Sequence, residues 1–384
     1  MRTYFGLPQT VFILGAVSFL NDAASDAVYP LLPLFFAATF ASGPQLLGLI
    51  EGAANATAAL MQLVSGRLYD RSGRAKPWMI AGYAMPALSR PLIAFTSLWP
   101  IVLLLRVLDR IGKGLRSAPR DALLAASVTP EQRGYAFGVH RSADHAGAVV
   151  GPLVAASLLA AGWSIRDVLI ATLVPGVLCV LLTLWVKEEG RAGAATNTAQ
   201  IDWRWSTLPA PFKRFLLATG LFSIAHVSNM FMLLRAKDAG VTDAQVPLLW
   251  AAFSAAAMLL SPKLSSLGDR FSHWRWVAIG RASYVGVALL FALLPATPVN
   301  IVILFALYAV VIAATEGVEK AVVAELVPKA QLGTAFGWFH LVRGLAILPG
   351  TAAFGFIWGA SSSMLAFALS AAIAAVSVLM LTRR

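Results

Sequence analysis

Hydrophobic residues run along this chain in stretches near twenty, parted by short polar connections. Each stretch is long enough to cross ~30 Å of hydrocarbon as a helix. The pattern predicts twelve spans, at roughly 10–40, 44–67, 77–97, 99–126, 134–162, 166–187, 213–236, 243–265, 276–295, 298–326, 333–358 and 361–382. One polar, small-residue and proline-punctuated stretch interrupts the series near its middle and reads as a linker. The predicted organisation is an N-terminal six-helix bundle (1–187), a cytoplasmic linker (188–212) and a C-terminal six-helix bundle (213–384). The fold class expected is an all-α polytopic membrane protein.

Residues 106–121, RVLDRIGKGLRSAPRD, break the apolar pattern with seven charges in sixteen positions. They form either a loop between two spans or a span whose charge matters. On a helix at about 100° per residue, all seven charges fall within an arc of about 140°, and Val107, Leu108, Ile111 and Leu115 lie outside it. A loop has no reason to sort its residues this way. The stretch is therefore read as span 4, with one face on a wet cavity.

Composition narrows the class further. The chain is 59% hydrophobic and 12% charged, too apolar for a soluble protein of 384 residues. Its net charge of +12 would suggest nucleic acid in a soluble chain. Here the basic residues gather instead in the even-numbered connections and at both ends, and ASGP, SLWP, ATPVN and GASSS hold none. By the positive-inside rule both termini are cytoplasmic and no nucleic-acid partner is expected. The N-terminal apolar run is not read as a secretory signal, because Asp22 and Asp26 follow it directly. The single Cys179 excludes an internal disulfide framework. No nucleophile elbow, zinc-protease helix or phosphate loop is present, so neither an enzyme nor a chain that hydrolyses ATP by itself is expected, and no cofactor is implied.

An internal repeat links the halves. GRLYDRSGRAK (66–76) corresponds to SSLGDRFSHWR (265–275), and ALLAASVTPEQRGYAFG (122–138) to AVVAELVPKAQLGTAFG (321–337). Both pairs, and Gly151 with Gly350, keep one offset of 199 residues. Two six-span halves in parallel repeat are the plan of many secondary transporters, with a substrate site near the bilayer midplane where the halves meet.

These residues resemble the major facilitator superfamily over essentially the whole chain. Its loop signature G-x-x-x-D-R-x-G-R stands here as Gly66 to Arg74. The resemblance makes Gly66, Asp70, Arg71, Arg74 and their counterparts Asp269 and Arg270 a conformational gate. Asp70 would face a helix N-terminus or neighbouring arginines. GAVVGPLVA (147–155) is similar to the family's antiporter motif G-x-x-x-G-P-x-x-G, with Ala155 in place of the last glycine. Gly147, Gly151 and Pro152 would then serve helix packing. Arg106 matches the arginine of the fourth-span motif R-x-x-Q-G, associated with proton coupling, although Asp109 and Arg110 replace Gln and Gly. Other strings resemble a bacterial exporter-like subgroup, which implies the inner membrane.

Charges within a bilayer call for partners. The candidate substrate and proton cavity comprises Asp22, Asp26, Glu51, Arg106, Asp109, Arg110, Lys113, Arg141, Asp144, His226, Asn229, Met230, Glu316, His340 and Arg343. For Arg90, Arg120 and Asp121, expected away from the midplane, a structural ion pair that pins helix packing and a role in the cavity are equally open. A carboxylate set against arginines can exchange a proton as substrate binds. The function expected is a proton-coupled antiporter exporting a small organic compound by alternating access. Excess positive charge in span 4 slightly favours an anionic or zwitterionic one. Its partners are the substrate, protons and the lipid bilayer, and it is expected to act as a monomer. The alternative is a transition-metal, copper-like or metal-chelate transporter using His226 and Met230, which fall at i,i+4 in HVSNM.

Overall fold

The computed structural model describes residues 3–28, 31, 44–188, 204–226, 229–242 and 245–382. The side chains of residues 3, 4, 44–53, 230 and 247 are not among those described, and these include the predicted cavity residues Glu51 and Met230. The far end of span 1 and most of the predicted linker also lie outside the described residues.

The first unit of the fold contains α1 (Gln9–Val28), α2 (Pro44–Ser72), α3 (Lys76–Leu92), α4 (Trp99–Ala126), most of α5 (Arg133–Ala160), α6 (Ile165–Ala171) and α7 (Leu173–Leu184). The second contains α8 (Ala210–Ala225), α9 (Asn229–Asp238), α10 (Gln245–Phe271), α11 (His273–Leu293), α12 (Pro298–Glu325), most of α13 (Leu332–Ala360) and α14 (Ser363–Thr382). Residues 130–142, at the start of α5, group with the second unit, and residues 328–341, at the start of α13, with the first.

Helix ends follow local chemistry. Leu98 is extended before α4, and Pro100 fits the first turn, where its missing N–H costs nothing. Thr297 accepts from Asn300 N at 3.3 Å to start α12. Ser164 and Asp167 close a capping box at α6. Gly162, at φ +89°, ends α5 in the left-handed conformation that glycine adopts without strain. Predicted spans 6 and 7 are each broken in two, at Thr172 and after Ala225.

Packing inside each unit repeats the sequence register. In the first, α4 lies against α2 and α3, and α7 lies against α1 and α3. In the second, α12 lies against α10 and α11, and α14 lies against α8 and α11. Eight of the described helical segments are long and apolar enough to cross a membrane. The charge on α4 keeps it out of that set. The interiors differ in chemistry. The second unit packs Phe253, Tyr284, Phe291, Phe305, Tyr308, Phe354 and Phe367 into one cluster, whereas the first buries Arg90, Arg106, Asp109, Arg110, Arg116 and Asp121.

Candidate functional site

The charged stripe of residues 106–121 is helical throughout, and most of it is buried in the first unit. Arg90 of α3 donates from Nε to Asp109 Oδ1 at 2.8 Å and from Nη1 to Asn21 O of α1 at 3.1 Å. Asp109 also pairs with Arg110 at 3.4 Å and Arg106 at 3.7 Å. Three guanidiniums thus converge on one carboxylate that is 1% exposed. Arg116 donates to Gly82 O at 3.1 Å and lies over the Tyr83 ring. Arg120 chelates Asp121 Oδ1 and reaches Ser18 Oγ at 3.0 Å, and Asp121 Oδ2 meets His340 Nε2 at 2.9 Å. Lys113 is the exposed member of the stripe.

Arg90 ties α1 to α4 through Asp109, as an ion pair that pins helix packing does. The stripe, however, does not line open water. Apart from Lys113 and partly buried Arg120, its charges are buried against α1, α2 and α3. An uncompensated charge in that interior would cost several kcal/mol, so the helix is kept by mutual pairing. Beside it, Asn21 donates to Asp22 Oδ1 at 2.8 Å. Asp22 lies within electrostatic reach of Asp144 on α5, and Asp26 of Asp22, Arg90 and Lys113. α1 and α5 approach this closely because Gly147 packs on the Phe19 and Ala23 backbone and Gly151 on that of Ala23 and Ala27. Pro152 follows in the same helix.

The second unit holds a smaller charged set. Arg281 of α11, fully buried, reaches Glu319 Oε1 at 2.9 Å, Thr219 Oγ1 at 2.8 Å and Ser377 Oγ at 3.1 Å. Arg343 donates to the other oxygen of Glu319 at 3.3 Å. Arg141 Nε donates to Glu316 Oε2 at 2.7 Å. His226 Nε2 and Asn229 Oδ1 share the Tyr308 hydroxyl, at 3.0 and 3.2 Å, and the His226 ring stacks on Tyr284. α8 ends at Ala225, and His226 has extended backbone at φ −65°, ψ 109°. His226 therefore stands outside the helical register of α8. No cluster of three or more metal-ligating His, Cys, Asp or Glu side chains occurs among the described residues.

The paired loop motifs form two matching latches. Asp70 accepts from Gly333 N at 2.8 Å and Thr334 N at 2.6 Å, at the start of α13. Asp269 accepts from Gly134 N and Tyr135 N, both at 2.7 Å, at the start of α5. Acceptors and donors are both related by the same 199-residue offset. Each carboxylate covers two unsatisfied N–H groups and the positive end of a helix macrodipole. Glycines permit the approach. A Cβ on Gly66 would strike the Gly333 carbonyl, and one on Gly134 would strike Ser265 O. Arg71, Arg74 and Arg270 are exposed.

Residues 14–351 match the Major Facilitator Superfamily. The chain belongs to that family. It is a multi-pass membrane transport protein rather than a soluble one. It is 28% identical over 382 residues to an uncharacterized MFS-type transporter of Methanocaldococcus jannaschii, covering 98% of this chain and 94% of that one. It is 26% identical over 281 residues to the multidrug resistance protein MdtG of Serratia proteamaculans, covering 70% and 67%. Among solved structures, the human organic anion transporter MFSD10 superposes with a TM-score of 0.84 at 17% identity, covering 98% of this chain and all of that one. A bacterial homologue of the iron transporter ferroportin in an outward-facing state superposes at 0.76 and 16%, covering 97% and 98%. These likenesses establish the twelve-helix fold of the superfamily.

Sequence reasoning missed Arg281, His273 and Tyr308 as parts of polar networks. Arg281 is one arginine in an apolar span, and only its distance from the ends of α11 marked it out. His273 sat in what read as a connection.

Proposed function

We infer that this member of the Major Facilitator Superfamily is a proton-coupled antiporter that exports a small organic ion by alternating access. The observation that carries the reading is the network in the first unit. Asp109 is flanked by Arg90, Arg106 and Arg110, while Asp22, Asp26 and Asp144 have partial exposure or a like-charged neighbour. Asp109 is suited to hold the helices in place. Asp22 and Asp144 are suited to exchange a proton, because one proton between them relieves a like-charge contact inside a membrane protein. Exposed Lys113, on the same face, would meet the anionic end of an anionic or zwitterionic substrate. Relatives named for multidrug resistance favour an organic compound. His226, held by Tyr308 and Tyr284, is better explained as a polar core residue than as a metal ligand. With the termini on the cytoplasmic side of a bacterial inner membrane, the latches of Asp70 and Asp269 close the cytoplasmic ends of their spans.

The test is a ligand-induced thermal-shift screen of the purified protein against organic anions, organic cations, amphiphiles and transition metals. Hits are then carried into uptake assays with everted vesicles. Stabilisation by organic ions and pH-gradient-driven uptake are expected. Stabilisation by metals alone would overturn the reading.

A further inference from the structure

The two latches share their main-chain bonds but differ in what stands behind the carboxylate. In the second unit His273, the first residue of α11, is 4% exposed and meets a carboxylate with each ring nitrogen. Nε2 lies 2.7 Å from Asp269 Oδ1, and Nδ1 lies 2.5 Å from Glu325 Oε1 at the end of α12. A neutral imidazole has one N–H and one lone pair, and an ionised carboxylate only accepts. Both contacts are hydrogen bonds only if the Asp269–His273–Glu325 trio holds one proton more than a neutral ring between two carboxylates. The first latch has no such trio. At the corresponding positions stand Arg74, which is exposed, and Ala126.

We propose that His273 is a positioning residue for the second latch, and that its bridging proton makes this latch, unlike that of Asp70, sensitive to proton concentration. Asp269 Oδ1 accepts both from His273 and from Gly134 N. The bridged ring therefore holds the carboxylate on the end of α5. Losing the proton removes one of the ring's two bonds, and with it either the grip on Asp269 or the ring's own anchor at Glu325. The linkage has one sign. The closed latch binds the proton, so acid favours closure and alkali loosens it. Glu325, with a side chain 37% exposed, offers the proton a way to water. Arg133 at the start of α5 donates to Ala324 O and feels Glu325 and Glu131, and the sequence neighbours Arg270 on α10 and Arg275 on α11 are exposed. Solvent screens the exposed pair.

The inference rests on Asp269 acting as a latch. Hydrogen exchange followed by mass spectrometry on the purified full-length protein tests both claims, because the Gly134 and Tyr135 amides are themselves the latch donors. The Asp269→Asn variant checks the latch. Loss of protection at those amides is expected, and unchanged protection would overturn the latch and the inference together. In the wild type, protection there, corrected for the intrinsic rate, should fall about tenfold between pD of about 6 and 9, as expected for one charge-assisted hydrogen bond. Protection of the Gly333 and Thr334 amides should stay level. His273→Asn should abolish the pH dependence, and Glu325→Gln, which keeps the Asp269 contact, should flatten it. Exchange in the interior of α12 reports whether each variant is folded. A wild-type profile that is flat, or equal at both latches, or retained in both His273→Asn and Glu325→Gln, would overturn the role of His273 while leaving the latch itself standing.

Discussion

Replacing Asp70 by Asn tests the first latch with the least disturbance of shape. The carboxylate takes two main-chain N–H groups, at 2.8 and 2.6 Å, and is 5% exposed. Asn keeps one neutral acceptor, turns an amide N–H toward the second donor, and removes the charge facing the helix end. The loss is about 1.5–3 kcal/mol for the charge-assisted bond and about 0.3–1 kcal/mol for the macrodipole. A central value of about 2–3 kcal/mol shifts the latched-to-open ratio by ~30- to ~150-fold. Spin labels at Ser72→Cys on α2 and Ala330→Cys just before α13, both at exposed sites, report the distance across the latch. The native Cys179 is buried and is replaced by Ala for this purpose. A single short distance is expected with the native carboxylate, and a second, longer population in the Asp70→Asn variant. Asp269→Asn should act in the same way on its own label pair. Identical distance distributions with and without the Asp70→Asn change would refute the claim that this carboxylate holds α13 in place.

Three further outcomes follow from the buried networks. Asp109→Ala leaves three guanidiniums without their shared carboxylate and should cost about 3–5 kcal/mol. Fluorescence-detected size exclusion would show loss of folded protein and partial recovery when Arg90→Met is added, and normal yield from Asp109→Ala alone would contradict the pairing. In a thermal-denaturation cycle, Arg281→Met and Glu319→Gln should each destabilise more alone than together, because either single change strands a buried partner, and strict additivity would show no coupling. His226→Ala should leave metal accumulation and tolerance in cells unchanged, and a metal-sensitive phenotype would revive the transition-metal alternative.

Much of the fold could be read from the chain because its signals are local. Apolar run length placed the spans, and Leu98-Trp99-Pro100 and Thr297-Pro298 set the starts of α4 and α12 through proline's fixed geometry. Asp70 and Asp269 keep the same 199-residue relation to Gly333 and Gly134, so the repeat pairs the acceptors and pairs the donors, although it does not say that they meet. The partners of buried charges were less legible. A helical wheel sorts the faces of α4, but it does not say that Arg90 of α3 and Asn21 of α1 will meet Asp109. Those contacts depend on how non-adjacent helices pack. The end of α8 at Ala225 was hidden because Ser-Ile-Ala-His carries no glycine or proline. His226 and Asn229 both meet the Tyr308 hydroxyl.

Proton coupling through the carboxylates of the first unit is the central claim. Proteoliposomes loaded with a pH-sensitive dye, under an imposed substrate gradient, measure it directly. Wild-type protein should move protons against substrate. Asp22→Asn and Asp144→Asn should stop that movement while still binding the substrate that stabilises the wild type. Undiminished substrate-driven proton flux in both variants would contradict the account.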